Sequence, residues 1–343
     1  MPSTDDAGTM PHSLPVDQHG FIRFADVRTL GRQSELHAAV ARGELEVARR
    51  GVYRAKSSVP EPGDDPGGVA ERERLAYASN VRSVGYAFGS PIFTSYSAAV
   101  LLGLPIIGTW PSEIFILSRG KHGRRRSGVV EVARTRPIDV IEVDGCVVTS
   151  VEFTLLQLAR HAPLVAALTA MDAALHVARF GDAEPMTTLE RLRAEHERLK
   201  PYPRSLRADA VLDRATTQAD TPLESGSRLL IEELGFAEPE LQHELWLPEL
   251  GKRAFLDFYW RDVNVGAEAD GRGKYRGALD MTGVTRSASE TSGTRRGDAG
   301  IARSAAGGAA RNATGTLDAA AVVEAAAESA ARRAADAVIG EKD

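Results

Sequence analysis

Two short apolar segments, Ala254 to Trp260 and Val263 to Ala269, constrain the fold most, because they carry charge where an apolar strand ordinarily carries none. Side chains alternate across a strand, so Val263, Val265, Ala267 and Ala269 face one way while Asn264, Gly266, Glu268 and Asp270 face the other. In the first segment Phe255, Asp257 and Tyr259 share a face. If the two segments pair as a hairpin across Arg261-Asp262, Asp257 lies beside Glu268. Charge inside apolar strands is seldom left unpaired, and a hard cation bound by carboxylate oxygens is a common reason for gathering it. Asp257, Glu268 and Asp270 are therefore the candidate metal ligands. Asp270-Gly271 is also a turn signal.

Upstream, Thr221-Pro222-Leu223-Glu224 has the form of a helix start: a capping residue, a proline at the first helical position and a carboxylate three residues after the cap. Leu223, Leu230, Ile231 and Leu234 give that helix one apolar face, and Gly235 ends it. Gln242 to Leu247 reads as a strand, followed by a turn at Pro248 to Gly251. The order is helix, strand, strand, strand. Glu224 is then either the reciprocal half of a capping box or a further carboxylate of the same cluster.

Residues 217 to 275 resemble the PD-(D/E)XK nuclease superfamily, in particular the branch similar to very-short-patch-repair endonucleases, whose signature is an Asp on one strand and Glu-x-Asp-Gly on the next. The resemblance aligns Glu224 with the acidic residue of the first helix, Asp257 with the aspartate and Glu268 with the second carboxylate. It implies a restriction-endonuclease-like sheet and magnesium-assisted hydrolysis of a DNA phosphodiester. Asp257 and Glu268 would hold Mg2+, Asp270 would assist, and Glu224 would orient a water or a second ion. Asp270 stands where the superfamily usually has lysine, which leaves Lys274 as the nearest cation for the phosphate. That departure favours the other reading, a catalytically silent scaffold.

At the other end, Gly20-Phe21-Ile22 precedes a short helix around Phe24 to Leu30; Gly31 makes a turn, and Gln33 to Arg42 reads as a second helix. This is helix-turn-helix spacing. Gly43 to Arg54 follows as two short strands forming a wing. Arg49-Arg50-Gly51-Val52-Tyr53 is similar to the wing that closes the N-terminal domain of AbiEi-like antitoxins. The resemblance implies that Arg32, Gln33 and His37 face a major groove, with Arg49, Arg50 and Arg54 at phosphate. The alternative is a small helical domain that contacts protein, since Glu35 and Glu44 dilute the positive face.

Between the ends, Ser97-Ala-Ala-Val-Leu-Leu-Gly-Leu-Pro105, Thr149-Ser150, Leu158-Ala-Arg160 and Asp172-Ala-Ala-Leu175 resemble the central region of the same AbiEi-like proteins. Strands are expected near 114–117, 129–133, 140–143 and 147–149, and helices over 152–160, 164–178 and 188–199. Arg119-Gly-Lys121-His-Gly-Arg124-Arg125-Arg126 reads as a basic loop, either wrapping a phosphate backbone or simply solvated.

Composition sets limits on these readings. With 343 residues of which 6% are aromatic, the chain suits two or three modest cores. A net charge of -5 does not exclude nucleic acid, because a local basic surface can coexist with an acidic total. Cys146 is the sole cysteine, so an internal disulfide and a cysteine-rich zinc site are excluded. No run approaches the roughly 18 apolar residues of a membrane span, and a cytoplasmic location is expected. The expected architecture is an α+β and α/β multidomain chain. Its parts are a disordered lead over 1–15, a winged helix-turn-helix over 16–58, a mixed α/β middle domain over 70–215, the nuclease-like domain over 217–275, and a low-complexity tail over 276–343 containing an alanine-rich helix. The expected partners are DNA and a cognate toxin.

Overall fold

The computed structural model describes residues 14–56, 66–126, 128–180, 183–248 and 251–269. Asp270, Lys274 and the 276–343 tail lie outside the described residues, as does most of the 1–15 lead. The chain divides into two compact units, Met1–Ala174 with Met186–Ala215, and Leu175–Pro185 with Thr216–Asp343.

The first unit opens with β1 (Phe21–Arg23), α1 (Phe24–Thr29), α2 (Gln33–Ala41), β2 (Leu45–Arg49) and β3 (Val52–Ala55). The strands form an antiparallel sheet in the order β1-β3-β2, a winged-helix-like arrangement. Gly31 and Gly43 end the two helices with φ of +68° and +76°, where a Cβ would be strained. Leu14, Ile22, Val27, Leu36, Ala39 and Leu45 make the core, and Phe24, Val40 and Tyr53 pack against it. Leu14 corrects the expected lead: the last residues before position 16 belong to the folded module, because the small core needs another apolar side chain.

A long helix, α3 (Pro66–Phe88), follows. Tyr86 meets Phe21 with ring centroids 5.4 Å apart, and Ser79 Oγ accepts a 2.6 Å hydrogen bond from the Arg54 guanidinium. Next come α4 (Ser95–Leu101), β4 (Ile114–Leu117), β5 (Arg124–Arg126), β6 (Val129–Val132), β7 (Val140–Val143), β8 (Cys146–Thr149), α5 (Val151–His161), α6 (Leu164–Leu175), α7 (Leu189–Leu199) and α8 (Ser205–Leu212). β4 and β6 run parallel, β5 pairs antiparallel with β6, and β7 with β8 forms a hairpin. Phe93 joins the two sets by bridging to Ile116 on one side and Val148 on the other. Its carbonyl accepts from Thr149 N–H at 2.9 Å, and its own N–H donates to the Val147 carbonyl at 2.8 Å.

The helices cover this sheet with small and branched side chains. Ser150 caps α5 by accepting from Phe153 N–H, and Phe153, Leu155, Leu156 and Leu158 are buried. In α6 Ala166, Ala167, Leu168, Ala170 and Met171 are buried. α7 is mostly charged and buries only Leu192 and His196. His196 is accommodated because its ring nitrogens meet the Tyr202 hydroxyl and an Asp209 carboxylate oxygen, the latter at 2.7 Å.

The second unit contains α9 (Pro222–Glu233), β9 (Glu240–Leu247), β10 (Lys252–Trp260) and β11 (Val265–Ala267), with the strands antiparallel in the order β11-β10-β9. Thr221 accepts from Glu224 N–H and Pro222 starts the helix, as the cap sequence requires. The expected helix over 164–178 stops at Leu175, and Leu175–Pro185 belongs to the second unit rather than to a contiguous middle domain. Among the described residues no helix is long and apolar enough to cross a membrane.

Candidate nucleic-acid interface

In the winged module, burying Leu36 and Ala39 turns the opposite side of α2 outward. Ser34, Glu35, His37, Ala38 and Ala41 are exposed there and Gln33 is half-buried. Apart from Gln33, Glu35 and His37, that surface is made of small residues, so a large partner can approach the helix closely. His37 stacks on Phe24, with centroids 6.4 Å apart and planes 19° apart, which holds the imidazole on the outer face. Arg32 is not an independent cation: it forms a forked pair with Glu35, at 2.9 and 2.6 Å.

The wing divides its three arginines among different environments. Arg50 is exposed at the turn between β2 and β3. Arg49 is half-buried, its guanidinium 5.8 Å from the Phe88 ring centroid. Arg54 donates to Glu46 at 2.6 Å as well as to Ser79, so it ties the wing to α3 instead of projecting from it. The resemblance-based position of Arg54 at phosphate thus meets a side chain with two intramolecular partners. Glu46 faces Arg54 within the wing itself, while Ser79 lies 25 positions away, so the motif gives no sign of the tie to α3.

The basic stretch is not a free loop through its whole length. Arg124, Arg125 and Arg126 form β5, and alternation sends the outer two to one face and the middle one to the other. Arg124 and Arg126 reach Glu131 of β6, at 2.8 and 3.8 Å, and Arg125 reaches Glu113 at 2.7 Å. Strand pairing wins over the low β-propensity of three arginines because each finds a carboxylate. Arg119 and Lys121, in the preceding turn, are exposed.

The carboxylates of the second unit meet through a residue that sequence reasoning did not single out. Gln242 lies opposite Asp257 in the β9–β10 register and takes a left-handed φ of +52°, which interrupts the ladder. Its amide donates to Glu224 Oε2 at 2.7 Å and to Asp257 Oδ1 at 3.5 Å. Arg179, from the segment before α7, donates to the Gln242 carbonyl and to Asp220, and lies 4.2 Å from the Phe255 ring centroid. Nothing in the spacing of Arg179 announces this role. Gln242 gives no signal either, since β9 carries Glu240, His243 and Glu244 as well.

Glu224 also accepts from Asp220 N–H at 2.9 Å and from the Thr221 hydroxyl at 2.8 Å, so the capping-box half of its reading is realised. Asp257 Oδ2 accepts from Ala269 N–H at 2.7 Å. Continuing the β10–β11 register by one step puts Glu268 opposite Asp257, but Glu268 lies past the end of β11 and is exposed. The oxygens of Glu224 and Asp257 thus accept from N–H and O–H donors, Asp257 Oδ1 only at 3.5 Å. Among the described residues, no group of three or more His, Cys, Asp or Glu is assembled for a metal.

Burial is the largest influence on Glu224 and pushes its carboxyl above the usual range; the bonds from Asp220 and Thr221 oppose this, and the Asp257 charge adds to it. A carboxyl with a raised folded-state pKa binds its proton more tightly folded than unfolded. Its contribution is fully present below the unfolded pKa and is lost as pH rises through the folded one. Stability measured between pH 7 and pH 4.5 should therefore fall less, or rise more, on acidification in the wild-type chain than in Glu224→Gln. Parallel profiles for the two proteins would refute the effect.

No curated protein matches the chain. Residues 16–56, which span the winged module from before β1 to just past β3, match the family model described as a transcriptional regulator, AbiEi antitoxin.

Proposed function

We propose that the protein is a DNA-binding regulator of the antitoxin type, with α2 entering the major groove and the β2–β3 wing lying along the phosphate backbone. The observation that carries this reading is the coincidence of the family match over 16–56 with a winged-helix-like module whose α2 presents an outer face of small and polar residues. Gln33 and His37 supply donors and acceptors for base edges, Ala38 and Ala41 permit close approach, and Arg50 meets phosphate. Arg32 and Arg49 serve beside them, less freely because of Glu35 and Phe88. A cognate toxin is the protein partner that the antitoxin reading calls for.

Electrophoretic mobility shift with the full chain and the DNA upstream of its own gene tests the proposal. Gln33→Ala with His37→Ala should narrow the gap between that DNA and a scrambled duplex. Arg50→Ala should weaken binding to both alike and reduce the slope of log affinity against log salt by about one. An unchanged slope would remove Arg50 from the phosphate contacts, and equal binding by all variants would remove α2 and the wing from the interface.

A second reading is a magnesium-dependent endonuclease of the PD-(D/E)XK type. What favours it is the approach of Glu224 and Asp257 on neighbouring elements, with Glu268 following in register. Against it stands the donor set that occupies those oxygens. Incubation of supercoiled plasmid with the protein and magnesium decides: nicking abolished by chelator and by Asp257→Ala supports the enzyme, and intact plasmid supports the silent scaffold.

A further inference from the structure

We propose that the hollow between the C-terminal end of α3 and the Ser118–Gly123 turn binds a nucleoside polyphosphate. The hollow has a volume of about 870 Å³, within the roughly 300–1,000 Å³ of small-molecule sites. Its lining falls into two chemical halves. Phe88, Pro91, Ile92, Ile116 and Leu117 supply apolar surface, and Arg119, Lys121, Arg124, Arg126 and Arg134 supply positive charge against the single carboxylate of Glu131.

The basic half is held in place before any ligand arrives. Ser118 N–H donates to the Val132 carbonyl at 2.8 Å, the Ser118 hydroxyl donates to the His122 carbonyl at 2.9 Å, and Gly120 N–H donates to that hydroxyl at 3.2 Å. Gly123 lies so close to β6 that a Cβ there would come within 2.6 Å of the Glu131 carbonyl oxygen. The backbone of the turn is fixed in this way, which lowers the cost of ordering it around a ligand, and Arg119 and Lys121 extend from it into solvent.

Glu131 cannot satisfy the arginines around it. Arg124 reaches it through Nε, and each guanidinium carries five N–H donors, so most of the donors of Arg124 and Arg126 are left for a ligand. Oxygens with more than one negative charge match them best, and phosphate does so in the forked geometry that arginine favours. The apolar half separates a nucleotide from a duplex. A phosphate backbone crossing the hollow would leave exposed Phe88 and half-buried Pro91 and Ile92 without an apolar partner, whereas a nucleotide places a planar base there. Binding at this site requires nothing of α2, and it meets the wing only where the Arg49 guanidinium lies 5.8 Å from the Phe88 ring centroid.

Fluorescence anisotropy with ATP carrying an N-methylanthraniloyl label, added to the full chain at physiological salt, tests the proposal. Saturable binding is expected, with unlabelled ATP displacing the probe and inorganic triphosphate displacing it at least about tenfold more weakly. The double variant Arg119→Ala, Lys121→Ala alters two exposed residues and should raise the dissociation constant about tenfold or more. Phe88→Ala should raise it about threefold or more through the lost apolar contact. Absence of saturation up to about 1 mM, equal displacement by triphosphate, or displacement by a short duplex as effective as by ATP would each overturn it.

Discussion

Replacing Phe93 by alanine is expected to destabilise the first unit by about 3–5 kcal/mol, the range for deleting a buried phenylalanine ring. Phe93 is 1% exposed and its backbone joins β4 to β8, two strands that otherwise belong to separate pairings. Its ring lies against α3, 3.6 Å from where a Cβ on Gly85 would stand. The substitution keeps the bonds from Phe93 N–H to Val147 and from Thr149 N–H to Phe93, because alanine retains both backbone groups. The loss therefore measures the ring alone. Urea denaturation followed by circular dichroism checks it: the midpoint should fall while the slope, which reports the surface exposed on unfolding, stays within error. A midpoint shift equivalent to less than about 1 kcal/mol would mean that Phe93 is not the keystone between the two sets of strands.

The second large effect is expected from Leu36→Ala, which empties the centre of the winged module. Leu36 is fully buried among Ile22, Val27, Ala39 and Leu45, and leucine truncation at such a site costs about 2–5 kcal/mol. A core this small supplies only about 3–5 kcal/mol of net stability. If the module starts at about 3 kcal/mol, a loss of 4 to 5 leaves it mostly unfolded, and apparent affinity for DNA drops about sixfold to thirtyfold with the folded fraction. The readouts are titration of duplex at two temperatures and amide protection over α2. Wild-type affinity in a variant shown to have lost α2 protection would detach DNA binding from this helix.

Local chemistry made the winged module legible. Gly31 and Gly43 mark the ends of α1 and α2, Leu36 and Ala39 fall at helical spacing, and the observed Gln33–Ala41 differs by one residue from the helix read in the sequence. β4 and β7 likewise fall at 114–117 and 140–143, since runs of branched residues between turn formers suit a strand and little else. The 21–23 segment escaped as a strand because three residues carry no period, and only its pairing with β3 makes it one. β5 escaped for a different reason: its arginines argue for solvent until Glu113 and Glu131 are seen beside them.

The second unit shows the same division more sharply. The cap sequence correctly starts α9, while the β10–β11 pairing ends at Phe258 with Ala267 and leaves Glu268 one step past the strand. What alternation cannot express is the left-handed Gln242, which turns its amide between Glu224 and Asp257, or Arg179, which arrives from more than 60 positions away to hold that amide. Glu224 and Asp257, read in the sequence as carboxylates of one cluster, share the Gln242 amide as a donor in three dimensions.

The division of the chain at Leu175–Pro185 bears on the order in which the protein can be made. That segment leaves the ribosome before Met186–Ala215, yet its structural companions begin only at Thr216. At about 5–20 residues per second, several seconds pass between the emergence of Arg179 and that of Gln242, its hydrogen-bond partner. The bonds of Arg179 to Asp220 and Gln242 can therefore form only after α7 and α8 have been synthesised.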